Sequence, residues 1–536
     1  MEKSTTAAIL LVLYFFVLCP QPGIHSLAPS SAVPDSSYLK FVRNATDLPL
    51  QEEYDYIVVG GGTAGCPLAT TLSANYSVLL LERGDIPTTY PNLASAEGIL
   101  ANFMQEDDGK TPLQRFVSED GVANVRGRIL GGTSMASGGA YSRADSKFYM
   151  TSGIKLDMNL VNKSYEWVED TLVFRPNLSQ WQSVVKDALL EAGVRPDNGF
   201  TLDSIEGTKI SGTLFDNGGR RHGPVELLNK GHPKNLIVAI HATVERIIFS
   251  SKASDPSAKG IIYSDTNGRS HWASIRGKGE VILSAGAIGS PQLLLLSVVH
   301  PQPYVGKFMR DNPRSNIIIL PPNSVVPSYS QVAGFTSEFD IESISGTPYS
   351  TQAYSIFPNP TIPVTINASF GFFMVKIRGP ILSHGSLKLQ SSYDAKVAPN
   401  VKFNYFAEEG DLSQCVNAMG KMRDLLKTNA LKPFKTRDLP GLEGFNLFQP
   451  SLPMNQSDDA SFCRDTVATH WHYHGGCSVG KVVDGDLRVT GIKALRVVDG
   501  SIFNSSPGTN PQATLLMLGR YVGLRILEGR SASKGR

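Results

Sequence analysis

A chain of 536 residues is long enough for two or three domains with large cores. Its 50 basic and 48 acidic side chains leave a net charge of +2 with no basic block, which argues against nucleic acid as a partner. The hydrophobic share of 41% is ordinary for a globular protein, and 50 glycines and 33 prolines point to many turns.

The first element is a leader. Lys3 precedes an apolar run from Ala7 to Leu18, followed by Pro20, Pro22, Gly23 and the small residue Ser26. The run is too short to span a bilayer comfortably, and the pattern is that of a secretory signal peptide over residues 1–26, cut near Ser26-Leu27. No other stretch is long and apolar enough to be a span, so the mature chain is expected in the secretory pathway without a membrane span. The leader alone leaves the extracellular space, the vacuole and a protein storage body all open. Seven Asn-x-Ser/Thr acceptors follow, at Asn44, Asn75, Asn162, Asn177, Asn367, Asn455 and Asn504. Several are expected to be glycosylated, and Asn504 to be buried.

An irregular lead-in over 27–53 ends at the most informative stretch of the chain. Tyr54-Asp55-Tyr56-Ile57-Val58-Val59 is a short apolar strand that runs straight into Gly60-Gly61-Gly62-Thr63-Ala64-Gly65. A small-residue helix follows, then the apolar run Val78-Leu79-Leu80-Leu81 ending on Glu82. This is a βαβ unit with an acid about 20 residues past the glycines, the layout of a dinucleotide site. Gly60 allows the tight turn, Gly62 lets the backbone approach a pyrophosphate, and Gly65 lets helix and strand pack closely. The helix N-terminus offers N–H groups and the positive end of its dipole to phosphates. Glu82 can accept hydrogen bonds from a ribose.

Further along, Lys234 to Ala242 and Glu280 to Ser284 have the β-branched pattern of buried strands. Gly286 to Ser297 reads as a turn and an apolar helix. From about 316 to 462 the texture changes. Ser386-Leu387-Lys388-Leu389-Gln390 and Asn400-Val401-Lys402-Phe403-Asn404-Tyr405 alternate as antiparallel strands do. An amphipathic helix is predicted near Leu412 to Lys427, and the polar tail from Ser531 is expected to fray. Removal of the leader takes Cys19 with it. Cys66 opens the first helix and Cys477 sits in a His-rich motif, both where a bridge would disturb tight packing. Cys415 and Cys463 are therefore the expected disulfide, although spacing alone fixes no connectivity.

Three more segments join the glycine motif in order: Gly127-Arg128-Ile129-Leu130-Gly131-Gly132-Thr133-Ser134, Gly286-Ala287-Ile288-Gly289-Ser290-Pro291-Gln292, and Trp471-His472-Tyr473-His474-Gly475-Gly476-Cys477 with Arg496-Val497-Val498-Asp499-Gly500 and Asn510-Pro511. Together they resemble the glucose-methanol-choline (GMC) family of FAD enzymes across the whole chain after the leader. Gln105 to Pro112, Arg115 to Gly121 and Trp471 to Cys477 are most similar to its plant branch of (R)-mandelonitrile lyase-like proteins.

The resemblance implies an α/β fold. A discontinuous FAD-binding Rossmann-like domain (about 54–150, 206–315 and 465–530) would carry an α+β substrate domain, or cap, on an antiparallel sheet (151–205 and 316–464). It implies FAD as cofactor, and a monomer acting on a small-molecule cyanohydrin or alcohol. Carried over residue by residue, Gly60, Gly62, Thr63, Ala64, Gly65, Glu82 and Arg83 would hold the dinucleotide. Val244 falls on the adenine side, while Gly132, Thr133 and Ser137 lie near the isoalloxazine. Asp499 and Gly500 lie by the pyrophosphate and ring, and Asn510, Pro511 and Gln512 complete the set. Trp471 would wall the pocket. His472 would sit over the flavin and handle the substrate hydroxyl proton, a task suited to an imidazole. His474 and His470 would support it.

Four departures from the family pattern stand out. Asn510 lies where many members, the lyases included, carry a second His. An amide can hydrogen-bond an oxygen but cannot accept a proton at neutral pH. Ser137 replaces an Asn. A segment after Ser297, through Val298-Val299-His300-Pro301, is shortened. Glu342 lies near where the lyase branch tends to place a Cys. Two activities follow as expectations: cleavage of an aromatic cyanohydrin to aldehyde and hydrogen cyanide, or oxidation of an alcohol with hydride passing to the flavin.

Overall fold

The computed structural model describes residues 35–532, except 96–97, 99–101, 104, 251–255, 298–301, 347–348, 351–364, 367–368, 436–445 and 449–455. The leader, the acceptors Asn367 and Asn455, and the shortened junction at Val298 to Pro301 lie outside the described residues.

The glycine motif sits in an eight-stranded sheet. Its strand order is Val42–Asn44, Leu236–Ile240, Val78–Leu81, Gln51–Val59, Ser270–Leu283, Ala258–Ser264 and Thr243–Phe249, with Leu495–Val497 also pairing with Ser270–Leu283. The first five strands run parallel, in a register that sets Val59 opposite Leu81 and Leu283. Leu495–Val497 is parallel to Val281–Leu283. Ala258–Ser264 and Thr243–Phe249 turn back as an antiparallel meander. Val78 to Leu81 are all buried, which is why they read as an unbroken apolar run. The stretch read as an irregular lead-in supplies the edge strand Val42–Asn44, too short to carry a period.

The second sheet also has eight strands: Asn446–Phe448, Pro313–Leu320, Phe370–Ile377, Phe339–Gly346, Val332–Phe335, Gly207–Ile210 and Asp197–Phe200 in that order, with Ala468–Thr469 added on Pro313–Leu320. All pairs are antiparallel except the last two strands of the path. The helices Gln180–Glu191 and Glu409–Leu426 cover one face, where Trp181, Val185, Ile317, Ile341, Phe373 and Met419 form a core. Cys415 and Cys463 are joined by the expected disulfide on that side, beside an ion pair in which Arg423 Nη1 lies 2.9 Å from Asp459. Cys66 and Cys477 are buried free thiols.

Three segments differ from their expected positions. The helix Met158–Leu172, assigned by sequence to the cap, packs instead on the first core through Val161, Tyr165, Val168 and Leu172. Those residues form an apolar stripe at helical spacing that meets the final helix, Gln512–Ala532. Gly207–Ile210, assigned to the flavin unit, joins the second sheet because its backbone pairs with Val332–Phe335. Ser386 to Tyr405 forms strands as read, Gly385–Lys388 with Asn400–Lys402, but in a small three-stranded sheet with Lys307–Met309. The final helix continues to Ala532, past Ser531 where fraying was expected to begin.

No described helix is long and apolar enough to cross a membrane. Asn75, Asn162 and Asn177 are exposed, as glycan acceptors must be, whereas Asn504 is half-buried and donates its amide N–H to the carbonyl of Val479 at 3.1 Å. The disulfide closes a separation of 48 residues. Replacing both cysteines with alanine should remove about 2–4 kcal/mol of stability. A urea unfolding midpoint unchanged by that double replacement would contradict this.

Candidate active site

A cavity of about 940 Å³ lies between the carboxyl ends of the parallel strands and the uncovered face of the second sheet. That volume is near the top of the ~300–1,000 Å³ usual for ligand and cofactor sites. The strand ends are where an open α/β sheet binds its ligand.

At the dinucleotide end the three glycines do different things. Gly60 has φ +102°, and a Cβ there would fall 2.4 Å from the Ser284 carbonyl oxygen. A Cβ on Gly65 would fall 2.0 Å from the Gly60 oxygen, so this glycine serves helix–strand packing and lies behind the cavity wall. A Cβ on Gly62 would meet nothing closer than 3.7 Å, because that side of the residue faces the cavity. This is the cradle a pyrophosphate needs, at the N-terminus of the helix Gly65–Leu72. Thr63 and Ala64 line it too.

Both oxygens of Glu82 accept backbone N–H bonds, from Gly61 at 3.1 Å and Gly84 at 2.8 Å. Burial pushes its pKa up. Each carboxylate oxygen retains a second lone pair for a ribose hydroxyl. Arg83 also lines the cavity, with its guanidinium donating to Gln114 at 2.7 Å and to the Gly127 carbonyl at 3.0 Å. Val244 lines the cavity at this end, beside Ala242 and Thr243.

In the middle, Gly132, Thr133 and Ser137 line the wall. Thr133 Oγ1 accepts from Gly127 N–H at 2.9 Å. Ser137 Oγ lies 3.0 Å from Gln512 Oε1, and Gln512 donates to the Ala140 carbonyl at 2.7 Å. These bonds tie the Gly131-Gly132 turn to the final helix. Asp499 is committed to partners within the protein: Oδ2 accepts from Gly286 N–H at 3.0 Å and from the Ser290 hydroxyl at 2.5 Å, and Oδ1 caps Ser501 N–H at 2.8 Å. It thereby fixes the shape of the wall at Gly286 and Gly500. Pro511 lines the cavity beside Asn510.

The opposite end is charged. His470, His472 and His474 all line the cavity, with the rings of His470 and His472 edge to face at 4.5 Å. Trp471 sits at φ +57° and turns the chain between His470 and His472. Its indole stacks on Phe103 at 4.6 Å, and the Arg314 guanidinium lies 4.5 Å from the ring. Asp311 accepts the His472 N–H at 3.1 Å, while His474 Nδ1 bonds the His472 carbonyl at 3.0 Å. His472 Nδ1 is buried with no hydrogen-bond partner among the described residues. Burial, then the charge of Lys376, drives the His472 pKa well below the ordinary imidazole value, with smaller contributions from His474 and Arg314. His470 is driven down for the same first reason, and His474 to about 4. The imidazoles are therefore neutral at neutral pH.

Asn510 is held from both sides. Its Oδ1 accepts from Lys376 Nζ at 3.0 Å, and its Nδ2 donates to Glu342 Oε1 at 3.1 Å. A lysine can only donate and a carboxylate only accept, so these partners fix the orientation of the amide. Lys376 is 1% exposed and paired with Asp340 at 2.8 Å. Asp340 is pushed up to about 6 by burial, which outweighs the lowering pull of Lys376. Sequence reasoning had not selected Arg314 or Lys376. The available signal was a single basic residue within an apolar strand, as in Phe372-Phe373-Met374-Val375-Lys376-Ile377.

Models of the GMC oxidoreductase family match residues 54–314 and 382–519. The chain is 56% identical to (R)-mandelonitrile lyase 1 of Prunus serotina, over 99% of this chain and 97% of that protein. It is 49% identical to the sinalpyl alcohol oxidase of Nesocodon mauritianus, over 99% of each. Among solved structures, a formate oxidase of Aspergillus oryzae shares the fold with a TM-score of 0.74 at 18% identity, covering 90% of this chain and 100% of that one. The two matched segments and the full-length likeness establish that this chain belongs to the GMC oxidoreductase family.

Proposed function

We propose that this protein is an FAD-containing hydroxynitrile lyase, which splits an aromatic cyanohydrin such as mandelonitrile into aldehyde and hydrogen cyanide. The observation that carries this reading is the 56% identity to the Prunus serotina lyase along nearly the whole of both chains. FAD is the cofactor, and the open side of Gly62, the helix N-terminus behind it and Glu82 fit it. Bound FAD would supply an electron-poor ring system that shapes and polarises the site with no net redox change.

The cavity face of the second sheet supports an aromatic substrate. Register aligns Asp340 with Lys376, Glu342 with Met374, Ile344 with Phe372 and Gly346 with Phe370. Polarity therefore falls along one face, from a charged end beside Asn510 to an aromatic end. An aromatic ring fits the second, and a hydroxyl and nitrile fit the first. Arg314 and Lys376 supply positive potential where a cyanide would leave with the electron pair of the broken C–C bond. Nδ1 of His472 is buried, which leaves Nε2 to hold the substrate oxygen while its proton departs. A second reading, an alcohol oxidase, is favoured by Asn510 and by the Nesocodon relative. In it the hydroxyl proton would pass to His472 and the flavin would bleach.

One cuvette decides between them. Holoprotein with mandelonitrile should release benzaldehyde above the spontaneous rate while the flavin stays oxidised; no benzaldehyde above background sinks the lyase. The leader and the disulfide support a route through the secretory pathway, and a monomer is the state expected of the mature protein. A mature protein that retains Met1, or elutes as a dimer, would count against that.

His472→Ala should keep FAD yet lose about 10²–10³ in kcat, the scale of removing one transition-state partner; a loss under tenfold would contradict the role. Because its pKa is lowered, the His472 imidazole is neutral at all pH values above that depressed point and charges only as pH falls through it. Histidine-selective NMR should find it neutral near pH 6, about half a unit under the ordinary value. Gly62→Ala should fold normally but purify with less FAD per chain, whereas Gly65→Ala should lower thermal stability. Full FAD retention in the Gly62 variant would refute the pyrophosphate cradle.

A further inference from the structure

Asn510 leaves the charged end of the site without an obvious proton acceptor. Its carbonyl is committed to Lys376 and its amide nitrogen has no basic lone pair. The His472 imidazole is taken up with holding the substrate oxygen, and His474 Nδ1 with the His472 carbonyl at 3.0 Å.

One anionic side chain of the cavity wall touches Asn510. The pleat of Phe339–Gly346 turns Ile341 and Ser343 to the core side, where Ser343 accepts the Trp181 indole N–H at 2.9 Å. Asp340, Glu342 and Ile344 therefore face the other way. Glu342 lines the cavity, is 5% exposed, and spends Oε1 on the Asn510 amide at 3.1 Å. Its other oxygen makes no hydrogen bond to a described residue. The charged groups around it are Lys376 on the paired strand, Arg314 on the strand beyond, Lys209 from Gly207–Ile210, and Asp340 on its own strand. Lys376 and Arg314 face Glu342 from the neighbouring strands, while burial lowers Lys209 to about 7 and so weakens its share of the positive charge.

We propose that Glu342 is the base of this site, taking the substrate hydroxyl proton on Oε2 while Asn510 holds its other oxygen. This rests on the lyase reading for its substrate. As the proton moves to Glu342, the O–H electrons form the carbonyl, the bond from the carbinol carbon to the nitrile breaks, and its electron pair leaves on cyanide. The proton then leaves with cyanide as hydrogen cyanide, which restores the carboxylate. No oxidant or reductant enters the balance. Glu342 and Asn510 thus act as a unit, the carboxylate doing what the amide beside it cannot.

The decisive variant is Glu342→Gln, because the glutamine carbonyl can still accept from Asn510 while the side chain loses proton affinity. The proposal expects kcat for benzaldehyde release to fall by about 10²–10⁴, with KM within about threefold and the flavin spectrum unchanged. Adding Asn510→His to that variant should restore part of the loss by returning a titratable base. A Glu342→Gln enzyme within about fivefold of the parent kcat overturns the proposal, as does a loss that the second replacement leaves untouched. Should Glu342→Gln fail to retain FAD, Glu342→Asp takes its place. The shorter carboxylate should keep measurable turnover, whereas Glu342→Ala should not, and equal rates in those two overturn the assignment. If the parent holoprotein releases no benzaldehyde, the lyase reading fails by itself. The Glu342→Gln comparison then moves to anaerobic flavin bleaching by aromatic alcohols, where a base at Glu342 in place of His472 predicts the same slowing and unchanged bleaching refutes it.

Discussion

A lysine ammonium buried to 1% exposure, 2.8 Å from Asp340 and 3.0 Å from Asn510, joins the two halves of this molecule. Removing one partner of such a pair commonly costs about 3–5 kcal/mol, because the other charge is left alone out of water. Lys376 therefore has strong reason to stay where it is, and so does the loop it grips. Two residues on, just past the end of that strand, Arg378 Nε donates to the Gly508 carbonyl at 2.5 Å. The second sheet thus holds the Asn510 loop by its side chain and by its backbone, and the site is assembled where that sheet meets the carboxyl ends of the first.

The same cation sets the electrostatics. Together with burial it keeps His472 neutral, and with Arg314 it gives the cavity a positive end. Glu342 and Asp340 temper that charge from the facing strand. The result is a polarity gradient written along one sheet face by a register of alternate residues, charged near Asn510 and aromatic near Phe370 and Phe372. A substrate with an aromatic ring at one end and a leaving anion at the other matches the gradient without rearrangement.

Much of this could be read from the sequence, for physical reasons that also explain what could not. Tyr54 to Glu82 was legible because its glycines, its apolar runs and the acid that follows are local and each obeys a separate steric or solvation demand. Cys415 and Cys463 were legible because the other two thiols sit in tightly packed motifs. His472 and Asn510 came from resemblance, not from spacing, and the cavity brings both to one end. Arg314 and Lys376 were not legible: on a strand, a lone basic residue usually marks a solvated face, and only the packing of a second layer makes that face an interior. The edge strand Val42–Asn44 and the docking of Met158–Leu172 on the final helix depend on partners hundreds of residues away, which no local pattern encodes.

A charged pocket beside a flavin that acts as a lyase breaks a carbon–carbon bond and leaves the carbinol hydrogen in place. The fate of that hydrogen is the most direct measure of it. With mandelonitrile deuterated at the carbinol carbon, the account predicts benzaldehyde that keeps the deuterium on its carbonyl carbon. Deuterium lost from the organic product, with the flavin reduced in step, would mean that the same pocket oxidises its substrate and would contradict the lyase.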